Sequence, residues 1–508
     1  MPFIKSDHAN TLILLIIAFS VAMLHMCNNQ RYYFHADEWQ FLSDASHLDW
    51  GFVPYPPLTA FLGHIGLSLF GLSLPGLRFF AVIAQAIVII IVGLMARELG
   101  GGRLASIVAA LAVAFSPLPL SQGTRLDYTG FDFLWWVLAA YFTLRLLKSK
   151  DHRWWLAIGM VIGLGLETKY TMVFFITGLL GGMVLTDARR YFLSPWFYAG
   201  VGVAWLIFLP NFLWQVRHDF ITYHFLKAIH YRDTYLLHRA DYFLADQFLV
   251  CINPLSTPLI VAGLVFLLRD PRYRMLAWLC VIPVMLLWLC NGRSYYAAGA
   301  YPLLIATGSV VGERWLSSAA PYTEQPSRRT RRAIAIAFFT VFSISAAYMA
   351  AQIALVAPGT LRDYALGDDS DVGWGEVVRT VADVAHALPA GTNFGILTTQ
   401  YSLQGAIEML GPAYHLPTPL GLVNSAWLRG YPNPPPTSLI VVGLDSSSAD
   451  RLFSNCQLAA TYKNSPRVKN IVIGSVGDFE IMEYSPVFVC GSPRLPWNDF
   501  WRTSLIFG

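Results

Sequence analysis

Long apolar runs recur along the chain, separated by short polar segments. That rhythm predicts helices buried in hydrocarbon rather than strands or amphipathic surface helices. A helix needs about 20 residues, at about 1.5 Å each, to cross a bilayer core. Runs of this kind occupy Thr11–Cys27, Arg78–Leu99, Leu104–Leu120, Phe131–Leu147, Trp154–Leu166, Tyr170–Thr186, Trp196–Val216, Ile252–Leu268, Met275–Cys290, Ala297–Trp315 and Ala333–Val356, or about eleven helices. The run ending at Leu166 is short, so it and the next predict a tight hairpin about Thr168. Beyond Pro358 the pattern changes. Trp374–Leu388 has helical periodicity after a cap at Asp371, Asn393–Thr398 and Ser438–Val442 are β-prone, and Tyr401–Leu410 reads as a helix between them. The expectation is a polytopic α-helical membrane protein, with a transmembrane part over residues 1–357 and a small α/β domain outside the membrane over residues 358–508.

Composition agrees with this reading. Of 508 residues, 55% are hydrophobic and 13% charged, against about a quarter charged in soluble proteins. The net charge is only +4, and the absence of a basic stripe argues against a nucleic-acid partner. The distribution of charge is more informative than its sum. Lys5; Arg97 and Arg103; Lys148, Lys150 and Arg153; Arg189 and Arg190; Arg269, Arg272 and Arg274; and Arg328, Arg329, Arg331 and Arg332 fall in alternate loops. Lys and Arg mark the cytoplasmic side, so the N-terminus is expected inside and the C-terminal domain outside. The first run has no small-x-small cleavage site after it and reads as an uncleaved span.

The remaining loops hold the unusual residues. The outer loop 28–77 places Asp37 and Glu38 side by side among aromatic rings, a setting that can raise a carboxylate pKa toward general-base work; the plain alternative is a pair of solvated acids at a helix end. Asp132 sits at the mouth of a span, where an ionisable group marks function or an internal pair. Lys169, in the charged turn Glu167-Thr168-Lys169, is either a phosphate-neutralising point charge or an interfacial snorkelling lysine. Arg293 offers a fork of donors, and Tyr55, Tyr295, Tyr296, Arg217 and His218 are candidates to line a substrate pocket. Cys456 and Cys490 lie in the outer domain, where a disulfide and two free thiols are both open. Cys27, Cys251, Cys280 and Cys290 read as packing residues. No zinc spacing, phosphate-cradling glycine loop or nucleophile elbow is present. The acids and bases gather on one side of the membrane, which favours an outward-facing enzyme over a transporter with sites near the midplane.

These motifs resemble the bacterial branch of the integral-membrane GT-C glycosyltransferases, the family 39 group related to protein O-mannosyltransferases and lipid A aminoarabinose transferases. The resemblance runs through Asp37-Glu38, His47-Leu48-Asp49-Trp50-Gly51, Pro56-Pro57-Leu58, Phe131-Asp132-Phe133-Leu134-Trp135, Thr168-Lys169, Leu209-Pro210-Asn211-Phe212-Leu213-Trp214-Gln215, Asn253-Pro254-Leu255 and Tyr295-Tyr296…Tyr301-Pro302, with Tyr401…Gly405-Ala406 and Cys490…Pro493-Arg494…Trp497…Trp501 in the tail. It implies a GT-C-like fold and sugar transfer from a polyprenyl-phosphate donor to an envelope glycan, lipid or protein at the outer face of a bacterial inner membrane. Asp37 would be the general base, Lys169 and Arg293 would stabilise the leaving phosphate, and Glu38 and Asp132 would hold the acceptor, the base or a divalent cation. Protein O-glycosylation, a lipid-linked sugar flippase and a non-catalytic scaffold remain as alternatives. Two positions depart from the family pattern: Pro54-Tyr55 stands where many relatives have an acid, and Glu167 replaces a neutral residue.

Overall fold

A computed structural model describes residues 2–31, 33–317, 327–355, 373–463 and 484–508. The expected domain boundary at residue 358 and the cap at Asp371 lie outside the described residues. In chain order the helices are α1 (Pro2–Asn28), α2 (Ala36–Ser46), α3 (Leu58–Phe70), α4 (Leu74–Glu98), α5 (Arg103–Ala114), α6 (Pro117–Ser121), α7 (Tyr128–Ser149), α8 (Trp154–Leu166), α9 (Met172–Val184), α10 (Pro195–Arg217), α11 (Ile221–Tyr231), α12 (Phe243–Leu249), α13 (Thr257–Arg269), α14 (Arg274–Leu289), α15 (Tyr301–Ser317) and α16 (Arg328–Leu355). Helices α17 (Trp374–His386), α18 (Tyr401–Leu410), α19 (Asn424–Leu428), α20 (Ser446–Leu452) and α21 (Trp497–Thr503) follow, interleaved with strands β1 (Phe394–Thr398), β2 (Leu420–Gly421), β3 (Ser438–Val442), β4 (Gln457–Lys463) and β5 (Tyr484–Cys490).

The chain separates into two compact units, each assembled from three segments. The first, Met1–Arg31 with Pro75–Val216 and His230–Leu366, is helical. Among the described residues five helices are long and apolar enough to cross a membrane, and up to eight spans result if three bent pairs each count as one. Two of the bends have a direct sequence cause. Pro117 and Pro254 push Ser116 and Asn253 into extended backbone, because a proline ring clashes with a helical residue before it. The pairs bend by 65° and 68° there, so the expected run Leu104–Leu120 is broken, whereas Ile252–Leu268 begins at the second bend and continues as one arm through Arg269. The third bend, of 106°, follows α9, where the Thr186 hydroxyl accepts from the Ala188 amide and starts a new turn. Trp154–Leu166 and Arg274–Leu289 are shorter apolar helices. The Ala297 run begins as a 3-10 turn over Ser294–Ala300 before α15.

Helix contact here depends on small residues, since apolar lipid supplies little drive for helices to associate and backbones must approach closely. A Cβ on Gly308 of α15 would strike the Leu259 carbonyl of α13, and one on Gly263 of α13 would strike the Leu304 carbonyl of α15.

The second unit joins Tyr32–Leu74, Arg217–Ile229 and Gly367–Gly508. Its sheet has the order β2-β1-β3-β5-β4. Strands β1, β2 and β3 pair in parallel, whereas β5 runs antiparallel to both β3 and β4. The central strands β1 and β3 are buried at four of five positions each, as expected of aliphatic strands covered on both faces. Leu439, Val441, Phe453, Phe488 and Phe500 form the core beneath them. A disulfide joins Cys456 to Cys490. Helix α17 buries Val377, Val378, Val381 and Ala382. Helix α2 packs on α18 so closely that a Cβ on Gly405 would meet the Trp39 carbonyl.

Gly308→Val is expected to lower stability by about 3 kcal/mol, the upper end of ordinary overpacking, because the clash is with backbone. Thermal unfolding in detergent measures it. Gly312→Ala, on the same helix with nothing within 4 Å of the new Cβ, should leave the transition unchanged or slightly higher.

Candidate functional site

The expected site residues other than Arg217 and His218 fall into two clusters, one in each unit. In the helical unit the turn between α8 and α9 carries Lys169. Three neighbours fix that turn. The Thr168 hydroxyl donates to the Leu164 carbonyl and accepts from the Trp135 indole, each at 2.8 Å. Thr171 donates to Asp132 at 2.7 Å. Tyr170 donates to Asn211 of α10 at 2.7 Å and accepts from Gln215 at 2.9 Å. Asp132 therefore holds the turn.

So placed, the Lys169 ammonium lies 3.9 Å from the ring centre of Tyr296, 4.1 Å from Tyr128 and 5.2 Å from Tyr295. It is buried and has no hydrogen-bond acceptor among the described residues. Ring faces attract a cation, but they leave the three ammonium protons unengaged. Burial pulls the Lys169 pKa below its ordinary value, opposed by Tyr295 and the carboxylates of Asp132 and Asp127. Burial pushes the Glu167 carboxyl up to about 8, with a backbone contact from Asn211 opposing it. Glu167 is thus mostly neutral near pH 7 and does not compete with an anion for Lys169. Arg293 stands beside the same rings. Its Nη1 donates to the Tyr295 hydroxyl at 3.0 Å and its Nε to Asp233 at 2.5 Å. Asp233 also lies 3.4 Å from Arg232 and 3.7 Å from Arg239, so cations outnumber the acid. By charge and donor geometry such an arrangement suits an anion with several oxygens.

In the second unit, α2 begins with a capping box. His35 Nδ1 accepts from the Asp37 amide at 3.2 Å, and Glu38 accepts from the His35 amide at 2.9 Å. Glu38 is fully buried and makes a helix-capping contact. Asp37, one residue earlier on the helix, keeps a side chain 45% exposed. Its carboxylate accepts a 2.9 Å hydrogen bond from the Tyr401 hydroxyl of α18.

Further along α2 lies a buried network absent from the sequence reading. Arg429 donates to Asp44 at 3.0 Å, to Glu408 at 3.1 Å and to Ser43 at 2.9 Å. The Tyr55 hydroxyl donates to Asp44 and its ring packs on Phe41 and Phe52. Tyr55 is buried. His47 lies 3.1 Å from Glu408. Burial raises the Asp44 pKa to about 6 despite Arg429 and Tyr55. For Glu408 burial also acts upward, but His47 and Arg429 outweigh it and the pKa is lowered. The bond to Glu408 raises His47. Arg217 is exposed and His218 half-buried at the end of α10; neither takes part in the Lys169 or Arg429 contacts described above. Asp127 caps α7 through the Thr129 amide. Among the described residues no three His, Cys, Asp or Glu side chains converge as metal ligands.

Tyr401 belongs to a motif named from the sequence, but its contact with Asp37, and Arg429 with its partners, carry no sequence signal because 364 and 385 residues separate them. Tyr128 carries only the aromatic context of its loop as a signal.

Residues 54–214 match the sequence profile of the family described as dolichyl-phosphate-mannose-protein mannosyltransferase. The lipid A galacturonosyltransferase RgtD of Rhizobium johnstonii is 27% identical over 288 residues, 54% of this chain and 59% of that protein. The chain thus spans less than two thirds of that relative. The crystal structure of ArnT from Cupriavidus metallidurans bound to undecaprenyl phosphate superposes with a TM-score of 0.55 at 15% identity, covering 94% of this chain and 97% of that one. The Archaeoglobus fulgidus oligosaccharyltransferase superposes with a TM-score of 0.52 at 15% identity, covering 80% of this chain and 64% of that one.

Arg429→Gln should destabilise the second unit by about 3–5 kcal/mol, since it strands two buried carboxylates; unfolding monitored by fluorescence tests this. His47 has a raised folded pKa, so its contribution is full below the unfolded value of 6.5 and lost as pH rises through the folded value. Wild-type stability should fall above about pH 6.5, and His47→Gln should reduce that slope, leaving the part that Glu167 contributes.

Proposed function

We propose that this chain, which shares the fold of the ArnT and Archaeoglobus oligosaccharyltransferase structures, is a glycosyltransferase that moves a monosaccharide from a polyprenyl-phosphate donor to a lipid or glycan of a bacterial envelope. The observation that carries this reading is Lys169, buried among three tyrosine rings beside Arg293 and lacking an acceptor among the described residues. A lipid phosphate fits that receptor by charge and donor geometry. The ArnT structure contains undecaprenyl phosphate, and RgtD is named for lipid A; both support the donor and acceptor classes. The reaction belongs at the outer face of the inner membrane, with the N-terminus inside, because the basic loops alternate in that sense.

In the proposed mechanism Asp37 accepts the proton of the acceptor hydroxyl as its oxygen attacks the anomeric carbon. The bond from that carbon to the phosphate oxygen breaks, and the electron pair leaves with polyprenyl phosphate. The leaving group gains negative charge, which Lys169 and Arg293 stabilise more strongly than in the ground state. A single displacement inverts the anomeric centre. Tyr401, donating to Asp37, orients its carboxylate. No step runs through a metal. A protein acceptor is the second reading, favoured by the description of the family matched over 54–214.

Asp37→Asn should abolish release of polyprenyl phosphate by purified protein in detergent while insertion and melting stay normal. Full activity of that variant would remove Asp37 as base. A flippase would need a sealed membrane and would release no polyprenyl phosphate in detergent. Lys169→Met should reduce kcat/KM by roughly a hundredfold or more, as loss of a preorganised charge contact does. Tyr401→Phe should move the acid limb of the pH profile upward, because a hydrogen bond to the ionised carboxylate is lost.

A further inference from the structure

The other end of the helical unit holds a second set of cations that the proposed reaction does not use. Helix α7 has Tyr128, beside Lys169, at its start, and Lys150 just past its end. Its 22 residues span about 33 Å, roughly the thickness of the hydrocarbon core. At the Lys150 end lies a cavity of about 350 Å³. Its floor includes Leu147, Tyr191 and Met275, all buried, and its rim carries Lys150, Arg190 and Arg272, all exposed.

The pairing of these cations differs from that of their neighbours. Arg145 and Lys148, on the last turns of α7, both bind Glu98, at 2.8 and 2.7 Å. Lys150 and Arg190 have no acidic partner among the described residues, although Asp187 also lines the cavity. Arg190 rests over the Tyr191 ring. Arg272 donates to the carbonyls of Leu147 and Lys148, which fixes it at the end of α7 but leaves its charge uncancelled by an acid.

A second observation narrows the ligand. The segment that supplies Arg190 is flanked by Val184, Leu185 and Leu193, exposed at 61%, 56% and 86%. Cations around a cavity, supplied in part by a segment flanked in sequence by exposed apolar side chains, suit an amphiphile. A small soluble anion would engage the cations and leave the apolar flank uncovered. Basic pockets between membrane helices take lipid headgroups for this reason.

We propose that this cavity binds the headgroup of an anionic phospholipid, with Lys150, Arg190 and Arg272 on its phosphate and the apolar flank against its acyl chains. It is separate from the donor site, being at the opposite end of α7, and stands whether or not the donor reading does.

The test is retention of phosphatidylglycerol against phosphatidylethanolamine by the full chain, measured by native mass spectrometry from mixed micelles, with melting temperature checked in parallel. Wild type should retain phosphatidylglycerol preferentially. Lys150→Gln/Arg190→Gln should lose roughly thirtyfold of that retention, at about a factor of five per charge removed, with an unchanged melting temperature. Arg328→Gln/Arg329→Gln, which removes two exposed cations outside the cavity, should retain lipid like wild type. Glycerol phosphate at millimolar concentration should not displace the lipid. Equal loss in both double variants would mean general surface charge and would overturn the proposal. So would an absence of preference for phosphatidylglycerol, or displacement by glycerol phosphate, which would make the ligand a soluble phosphate.

Discussion

Lys169 carries a positive charge into a buried position at one end of an apolar helical bundle, and the local structure is built around holding it there. An isolated buried ammonium is costly. Three tyrosine rings offset part of that cost through their faces. The carboxylates of Asp132 and Asp127 also act on the charge. Glu167, two residues away, is mostly neutral near pH 7 and leaves the charge in place. The turn cannot drift, because Trp135, Asp132, Asn211 and Gln215 hold the residues on both sides of Lys169. What remains is an ammonium with directed protons, next to an arginine fork. Preorganisation of this kind lets a site stabilise developing charge without rearranging during the reaction.

The second unit solves a different problem. Helix α2, with two acids at its start, buries Trp39, Phe41, Leu42 and Ala45. The sheet domain fixes it through Gly405 against Trp39, Trp374 donating to the Phe34 carbonyl at 3.0 Å, and Arg429 between Asp44 and Glu408. Tyr401 reaches Asp37 from the same domain. The segment Tyr32–Leu74 and the C-terminal segment are thus one folded body, although more than 300 residues separate them in sequence.

The apolar runs made the helices legible, because hydrocarbon leaves a backbone no other way to satisfy its polar groups. The Glu167-Thr168-Lys169 turn was legible for the same reason, as a charged break in an apolar hairpin. The breaks at Ser116 and Asn253 had a signal in the prolines that follow them, which run length alone overrode. The different fates of Asp37 and Glu38 were not legible. Adjacent helical residues point about 100° apart, so one faces solvent and Tyr401 while the other turns back to cap the helix. Tyr55 read as a pocket residue from its aromatic loop, yet its hydroxyl belongs to the Asp44 network. That network depends on Arg429, and no periodicity links residues so distant.

The most direct test of the account is an experimental structure of the protein with a polyprenyl phosphate bound. The account predicts phosphate density within about 3 Å of Lys169 Nζ and of the Arg293 guanidinium, with the three tyrosine rings around it. Phosphate density elsewhere, with the Lys169 ammonium still enclosed by the rings alone, would contradict it.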